Sequence, residues 1–520
     1  MAFRVTYSVL NADLSELHKS FEKTVEQVKA DLGKDFPSYI GGKAFESGKF
    51  ISDFNPANTK QLLARFHSAD HKAADLAFEK AKVAQKVWFK MGWQERVRIL
   101  RKAADLISER NMKYSVIMTL EAGKNRLESL GDVEESADLL RYYCSQVEET
   151  NGFTRPLGKL SPNEDTLDTL KPFGVFVVIA PFNFPMALAA GMSGGALLGG
   201  NSVILKPSQE TPWSGHNLFE CLRDAGMPEG VFQILHGTGS DLGAYLANHP
   251  LKDGIAFTGS REIGMNLLRA SVAGPFAKPC FVELGGKNAC VVSAKADLKK
   301  AIEGVARSAF GLTGQKCSAL SRVYVQKEIK NAFTEQLIER IAKIKVGDPI
   351  LQDIYMGPII HERALKKFDL AVEAGKTGGR VLAGGTNLRS HAEFANGYFV
   401  PPTLIEVPHD HSVARDEHFA PLLALMSVDN FQEGVMKAND SEYGLTGGVF
   451  SEDKSEVDFF MNECEAGVLY ANRQSGATTG AWPGIQSFCG WKGSGASGKG
   501  GCGPYYVAQF MREQSQTRML

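Results

Sequence analysis

Val175-Phe176-Val177-Val178-Ile179-Ala180, followed at once by Pro181-Phe182-Asn183-Phe184-Pro185, is the stretch whose reading decides the fold. Six apolar residues, half of them valine, that stop abruptly at prolines read as a buried strand feeding a loop. Segments of the same kind recur at residues 202–205, 231–235, 254–257 and 281–282, with helical stretches between them. That alternation is the rhythm of a parallel sheet covered by helices. It resumes from Asp297 to about Leu469, with strand-like residues 321–325 and 447–450 and a helix-like run over 329–344, which predicts a second α/β lobe. Upstream, residues 10–150 are charged and helical in period, as in residues 73–81 and 96–104, and are expected to cover the first sheet. The tail after Ala481 is rich in Gly and Ser, then resumes at Pro504-Tyr505-Tyr506-Val507. No internal repeat or low-complexity tract interrupts this pattern.

A chain of 520 residues exceeds one hydrophobic core and divides into two or three lobes. The 58 basic and 59 acidic side chains leave a formal net charge of −1. That balance argues against a nucleic-acid or membrane-surface partner recruited by bulk charge. Eight cysteines without a dense disulfide or C-x-x-C spacing fit a reducing compartment. The first twenty residues mix acids with bases and carry no signal or transit pattern, so a cytoplasmic location is expected. The longest apolar runs are broken by Pro, Asn and Gly, and no segment reads as spanning a membrane. The 11 histidines show no H-E-x-x-H or clustered spacing, so no metal site is expected.

Two short runs carry the chemistry: Phe281-Val282-Glu283-Leu284-Gly285-Gly286-Lys287 and, downstream, Gly314-Gln315-Lys316-Cys317-Ser318-Ala319. A thiol framed by small residues and a carboxylate framed by glycines are what thiol-dependent aldehyde oxidation needs. Cys317 is the candidate nucleophile, and Glu283 the candidate base that activates water against the resulting thioester. Taken singly, Cys317 reads as a small buried apolar residue and Glu283 as part of a solvated loop. Asn183 offers a side-chain NH₂ to an oxyanion, with the backbone N–H of Cys317 as second donor. Its plainer reading is a cap on a helix starting at Pro185.

In this order, Pro181-Phe182-Asn183-Phe184-Pro185, Leu205-Lys206-Pro207-Ser208, Phe257-Thr258-Gly259-Ser260, the Glu283 and Cys317 runs, Asp416-Glu417-His418-Phe419-Ala420-Pro421, Asn439 with Tyr443-Gly444-Leu445-Thr446, and Gly467-Val468-Leu469-Tyr470-Ala471-Asn472 resemble the aldehyde dehydrogenase superfamily from about Asn55 to the C-terminus. The resemblance implies two Rossmann-type α/β lobes plus a small β oligomerisation element. The divisions expected from it are residues 1–157 and 171–280 for the N-terminal helices and dinucleotide-binding domain, and 281–480 for the catalytic domain. Residues 158–170 and 481–520 are left for the oligomerisation and anchor-loop element of a homodimer or larger homo-oligomer. It also implies NAD as cofactor. Lys206, Ser208, Gln209, Gly239, Phe257, Thr258, Gly259, Ser260 and Leu284 then lie along the dinucleotide, and Glu417 and Phe419 steady the nicotinamide end. The run Gly237-Thr238-Gly239-Ser240-Asp241-Leu242-Gly243 lacks the spacing of the G-x-G-x-x-G fingerprint. Ser260 opens a helix-like stretch, where a hydroxyl and a helix N-terminus suit a pyrophosphate or simply make an N-cap. Gln209 stands where many NAD-preferring relatives carry glutamate. An amide does not repel a 2′-phosphate, so NADP remains open.

Around the thiol, Phe184, Lys316, Ser318, Gly480, Ala481 and Phe488 look like the branch of this superfamily that oxidises L-glutamate γ-semialdehyde, the open form of 1-pyrroline-5-carboxylate, in proline catabolism. In that branch the serine and a small-residue loop receive the substrate's α-carboxylate, and charge-assisted hydrogen bonds suit that task. Phe184 and Phe488 are expected to clamp the aliphatic chain, although both also read as core. Residues 474–478 are extra relative to the branch, which leaves another semialdehyde or a general aldehyde as the alternative. A CoA-acylating relative would have no need of Glu283, and a non-catalytic protein on the same fold would have no reason to keep Asn183, Glu283 and Cys317 together.

Overall fold

The computed structural model describes residues 14–475 and 482–520. Its first sheet has seven strands in the order Cys280–Glu283, Gly254–Thr258, Val175–Ile179, Ser202–Lys206, Phe232–Ile234, Ser38–Ile40 and Lys43–Phe45. The first five run parallel, and the last two are antiparallel additions. Burial on both faces explains why the central strands are unbroken apolar runs rather than alternating ones. Helices Ala187–Leu198, Trp93–Glu109 and Arg126–Glu149 pack on one face around Phe176, Val178, Leu205 and Tyr143, and helix His71–Lys90 lies on the other with Phe78 and Ala81.

A second seven-stranded sheet runs Arg380–Ala383, Thr403–Glu406, Leu422–Val428, Leu320–Gln326, Asn288–Val292, Thr446–Phe450 and Val468–Ala471. All its pairings are parallel except that of the edge strand Arg380–Ala383. Two α/β lobes were expected and two are found. The crossing between them is short. Cys280–Glu283 is the outermost strand of the first sheet and Asn288–Val292 is central in the second, with only residues 284–287 between. A division at residue 281 therefore falls inside a strand of the first sheet, and the change of sheet takes place at Leu284-Gly285-Gly286-Lys287.

Residues 10–150 are not helical throughout. Residues 34–67 form the strands Lys34–Phe36, Ser38–Ile40, Lys43–Phe45, Phe50–Phe54 and Leu62–His67, which build a three-stranded sheet and extend the first large one. These strands are too short for a two-residue period to show against the neighbouring helices. The strand Glu164–Pro172 pairs with Thr154–Pro156 on one side and with the C-terminal strand Met511–Met519 on the other. This separate sheet begins before residue 158 and runs past residue 170.

Candidate active site

In the first sheet, chain order reverses between Val175–Ile179 and Gly254–Thr258, and ligands of open parallel sheets bind beyond the carboxyl ends of strands at such a point. The expected cofactor residues gather there. Lys206 ends its strand and is buried, and desolvation lowers its pKa to about 8. Ser208 Oγ accepts from the backbone N–H of Glu210, and Gln209 Oε1 accepts from that of Gly239 at 3.1 Å. Phe257 and Thr258 close their strand, Gly259 N–H donates to the Glu283 carbonyl, and Ser260 caps helix Arg261–Ser271 by accepting from Ile263 N–H.

Leu284 is buried and its N–H donates to the Ser494 carbonyl, which together with the Gly259 bond fixes Glu283 on both sides. Glu417 lies across the crossover: its carboxylate accepts from Gly286 N–H at 3.0 Å, and a Cβ added at Gly285 would meet it at 2.1 Å. Phe419 takes a left-handed φ of 54° and its ring meets Phe182 edge-on. The set fits a dinucleotide. It offers a desolvated cation, an open helix N-terminus, a glycine at 239 with free space where a side chain would stand, and a carboxylate held over a glycine pair.

Cys317 enters from the amino edge of the second sheet. The loop before it holds Leu312, Thr313 and Gly314 in the left-handed region, and a Cβ at Gly314 would run into the Ala420 carbonyl. This strained turn is fixed by a bond from Leu312 N–H to Glu128 and one from the Thr313 hydroxyl to the Gly357 carbonyl. Asn288 Nδ2 donates to the carbonyls of Cys317 and Ala319, each at 2.8 Å. Cys317 and Glu283 line one cleft together with Phe184, Lys316, Ser318 and Phe488. Burial, with Glu283 and Glu417 adding to it, pushes the thiol up to about 12, while the backbone N–H groups of Ser318 and Cys317 pull it down. Burial likewise raises the Glu283 carboxyl to about 8.

Asn183 is buried and does not cap the following helix. That helix is Ala187–Leu198, and its start at Met186 carries no side-chain cap. Instead Asn183 Nδ2 donates to the Gln315 carbonyl at 2.9 Å, in the loop that leads to Cys317. An amide NH₂ has two donors, so the Gln315 carbonyl takes only one of them, and Asn183 itself lies behind Phe184 rather than among the residues that line the cleft. Gly480 and Ala481 lie outside the described residues. Sequence reasoning missed the far wall of the cleft: Glu135, Leu139 and Tyr143 on one helix, with Leu188, Gly191 and Met192 on another. Both sets follow three- or four-residue helical spacing, the signal that marks one face of a helix. Lys316 makes an ion pair with Glu128 at 3.8 Å.

The family model described as the aldehyde dehydrogenase family matches residues 44–515. A 1-pyrroline-5-carboxylate dehydrogenase of Geobacillus sp. (strain WCH70) is 35% identical over 507 residues, 96% of each chain. One from Halalkalibacterium halodurans is 36% identical over 506 residues, again 96% of each. Among solved structures, the 1-pyrroline-5-carboxylate dehydrogenase from Thermus with bound NAD is 33% identical, with a TM-score of 0.94 over 100% of this chain and 99% of that one. Proline utilization A from Bdellovibrio bacteriovorus is 34% identical with a TM-score of 0.92, over 96% of this chain and 52% of that one. With the thiol and the carboxyl in one cleft between two parallel-sheet lobes, these likenesses establish that the chain belongs to the aldehyde dehydrogenase family.

Proposed function

We propose that this chain oxidises L-glutamate γ-semialdehyde, the open form of 1-pyrroline-5-carboxylate, to L-glutamate, as its relatives' names describe for them. One observation carries the reading: Cys317, Glu283, Lys316, Ser318, Phe184 and Phe488 line a single cleft at the carboxyl edge of the first sheet. The Cys317 thiol gives its proton to the ionised Glu283 carboxylate in the same cleft, which passes it to solvent, and the sulfur attacks the aldehyde carbon, forming a C–S bond as the carbonyl electron pair moves to oxygen. The free N–H of the Asn183 amide and the Cys317 backbone N–H hold that oxygen. When bound, the NAD supplies the hydride acceptor that makes oxidation to a thioester possible. Glu283 then takes a proton from water as the water oxygen adds to the thioester carbon, and the C–S bond breaks to return the thiol and release the carboxylate product. A carboxyl inside the cleft favours water over CoA in this second half.

Ser318, with Gly480 and Ala481, receives the α-carboxylate, while Phe184 and Phe488 flank the chain. Lys206, Ser208, Gln209, Gly239, Phe257, Thr258, Gly259, Ser260 and Leu284 line the dinucleotide, with Glu417 and Phe419 at its nicotinamide end. The amide of Gln209 leaves NADP as a second acceptor. The first sheet with its helices is the dinucleotide-binding lobe, the second sheet the catalytic lobe, and the sheet of Thr154–Pro156, Glu164–Pro172 and Met511–Met519 the homo-oligomerisation element. Eight free cysteines support a reducing, cytoplasmic setting. Initial rates with γ-glutamate semialdehyde, succinate semialdehyde and a simple alkanal, each with both nicotinamides, test the assignment. The first substrate with NAD is expected to give the highest kcat/KM, and a higher value with the alkanal would refute the substrate claim.

A further inference from the structure

The turn that carries Asn183 and Phe184 is held at three points by one buried ion pair that the reaction itself does not use. Lys124 and Asp132 are both fully buried and meet at 2.7 Å. Lys124 Nζ also donates to the Asn183 carbonyl at 3.0 Å and stands 4.1 Å over the Phe184 ring. The other oxygen of Asp132 accepts from Ala187 N–H at 2.8 Å, the first residue of the helix that lacks a cap of its own. Main chain, ring and helix start are thus all referred to Lys124 and Asp132. Lys124 is itself anchored, because it follows Gly123, the left-handed end of helix Asn111–Ala122, which packs tightly against Pro358.

From this geometry we infer that Lys124 and Asp132 are positioning residues, which aim the Asn183 amide at the oxyanion and fix the Phe184 ring beside the thiol. The Asn183 side chain spends one N–H on the Gln315 carbonyl, so the direction of the other follows from where its backbone is pinned. A lysine suits this place because a single ammonium serves a carboxylate, a carbonyl and a ring face at once. An apolar residue of the same length serves none of them. Charge balance rather than packing alone explains the partner: without Asp132 the buried ammonium would be an uncompensated charge.

The inference rests on Asn183 as the oxyanion donor, and the experiment separates the two claims. The neutral pair Lys124→Met with Asp132→Asn leaves no uncompensated charge, and Asp132→Glu keeps the charges but shifts the ammonium. Each is compared with Asn183→Ala for kcat and KM on γ-glutamate semialdehyde and on propanal, NAD affinity, and the rate of Cys317 alkylation by iodoacetamide. Asn183→Ala should lower kcat by about 10²-fold or more on both aldehydes. The neutral pair should lower kcat by at least about tenfold on both, leave NAD affinity and alkylation within about threefold, and add little in the Asn183→Ala background. If Asn183→Ala alone leaves kcat unchanged, the oxyanion reading fails. If Asn183→Ala is impaired while the folded pair variants match the parent, or if their losses multiply with it, the positioning inference fails by itself. It fails too if neither pair variant folds, since the pair would then be a device of core stability.

Discussion

Glu283 is the residue whose ionisation the chemistry must cross. Burial raises its carboxyl to about 8, so at neutral pH most of it is protonated and unable to take a proton from water. Where thioester hydrolysis limits turnover, kcat is expected to rise with pH and level off above about 8, a profile that steady-state rates between pH 6 and 9.5 will reveal. In Glu283→Gln that rise should vanish: the variant releases a burst of NADH and then stalls. A steady rate equal to the parent's would assign hydrolysis to another base. Stability shifts in a definite sense as well. A carboxyl whose folded pKa lies above its unfolded value favours folding at pH below the unfolded value, and that contribution is lost as pH climbs through about 8. Melting curves should therefore show Glu283→Gln gaining on the parent from pH 5 to pH 9. Cys317 supplies the sulfur that bonds the aldehyde carbon, so its replacement by alanine is expected to remove turnover and leave NAD binding in place, as activity and NAD titration will show.

At the scale of elements, the crossover from Cys280–Glu283 to Asn288–Val292 ties cofactor to thiol. Gly285 is the point where a methyl group has no room, since the Glu417 carboxylate fills it. Gly285→Ala is expected to push Glu417 aside, raising the KM for NAD several-fold while iodoacetamide alkylation of Cys317 stays near the parent rate. Equal damage to both would mean that the whole crossover has shifted. The central strands of the first sheet, Val175–Ile179, Ser202–Lys206 and Gly254–Thr258, were legible because strands buried on both faces are written as continuous apolar runs. Ser260 was legible as a cap for a related reason, being a short polar side chain just ahead of a helical pattern. For Asn183 the sequence offered both a cap and an oxyanion donor, because both use the same amide, and the structure removes the cap by turning the amide onto the Gln315 carbonyl. Lys124 and Asp132 were illegible altogether. Lys124 looks like a solvated charge in the turn after Gly123, and Asp132 like one on a helix surface, until the turn after Ile179 is folded against them.

For the whole molecule, the small sheet raises the question of assembly. Met511–Met519 pairs with Glu164–Pro172 along nine residues, and its outer edge has no partner among the described residues. Long open edges invite pairing with another chain unless they are blunted by short length, proline, bulges or charge, and of these the strand has only the charges of Arg512, Glu513 and Arg518. Only Met511 of its nine residues is buried, so the strand adds little to the core of its own chain. The proposed homo-oligomerisation through this edge is tested by truncation. Removing residues 512–520 keeps Met511 and is expected to leave both lobes folded, with circular dichroism and NAD binding close to the parent's. The mass measured by light scattering should fall from that of an oligomer toward the 56.6 kDa of the single chain. A parent already monomeric at micromolar concentration would rule out this role for the edge. An oligomer that survives the truncation would move the interface elsewhere on the molecule.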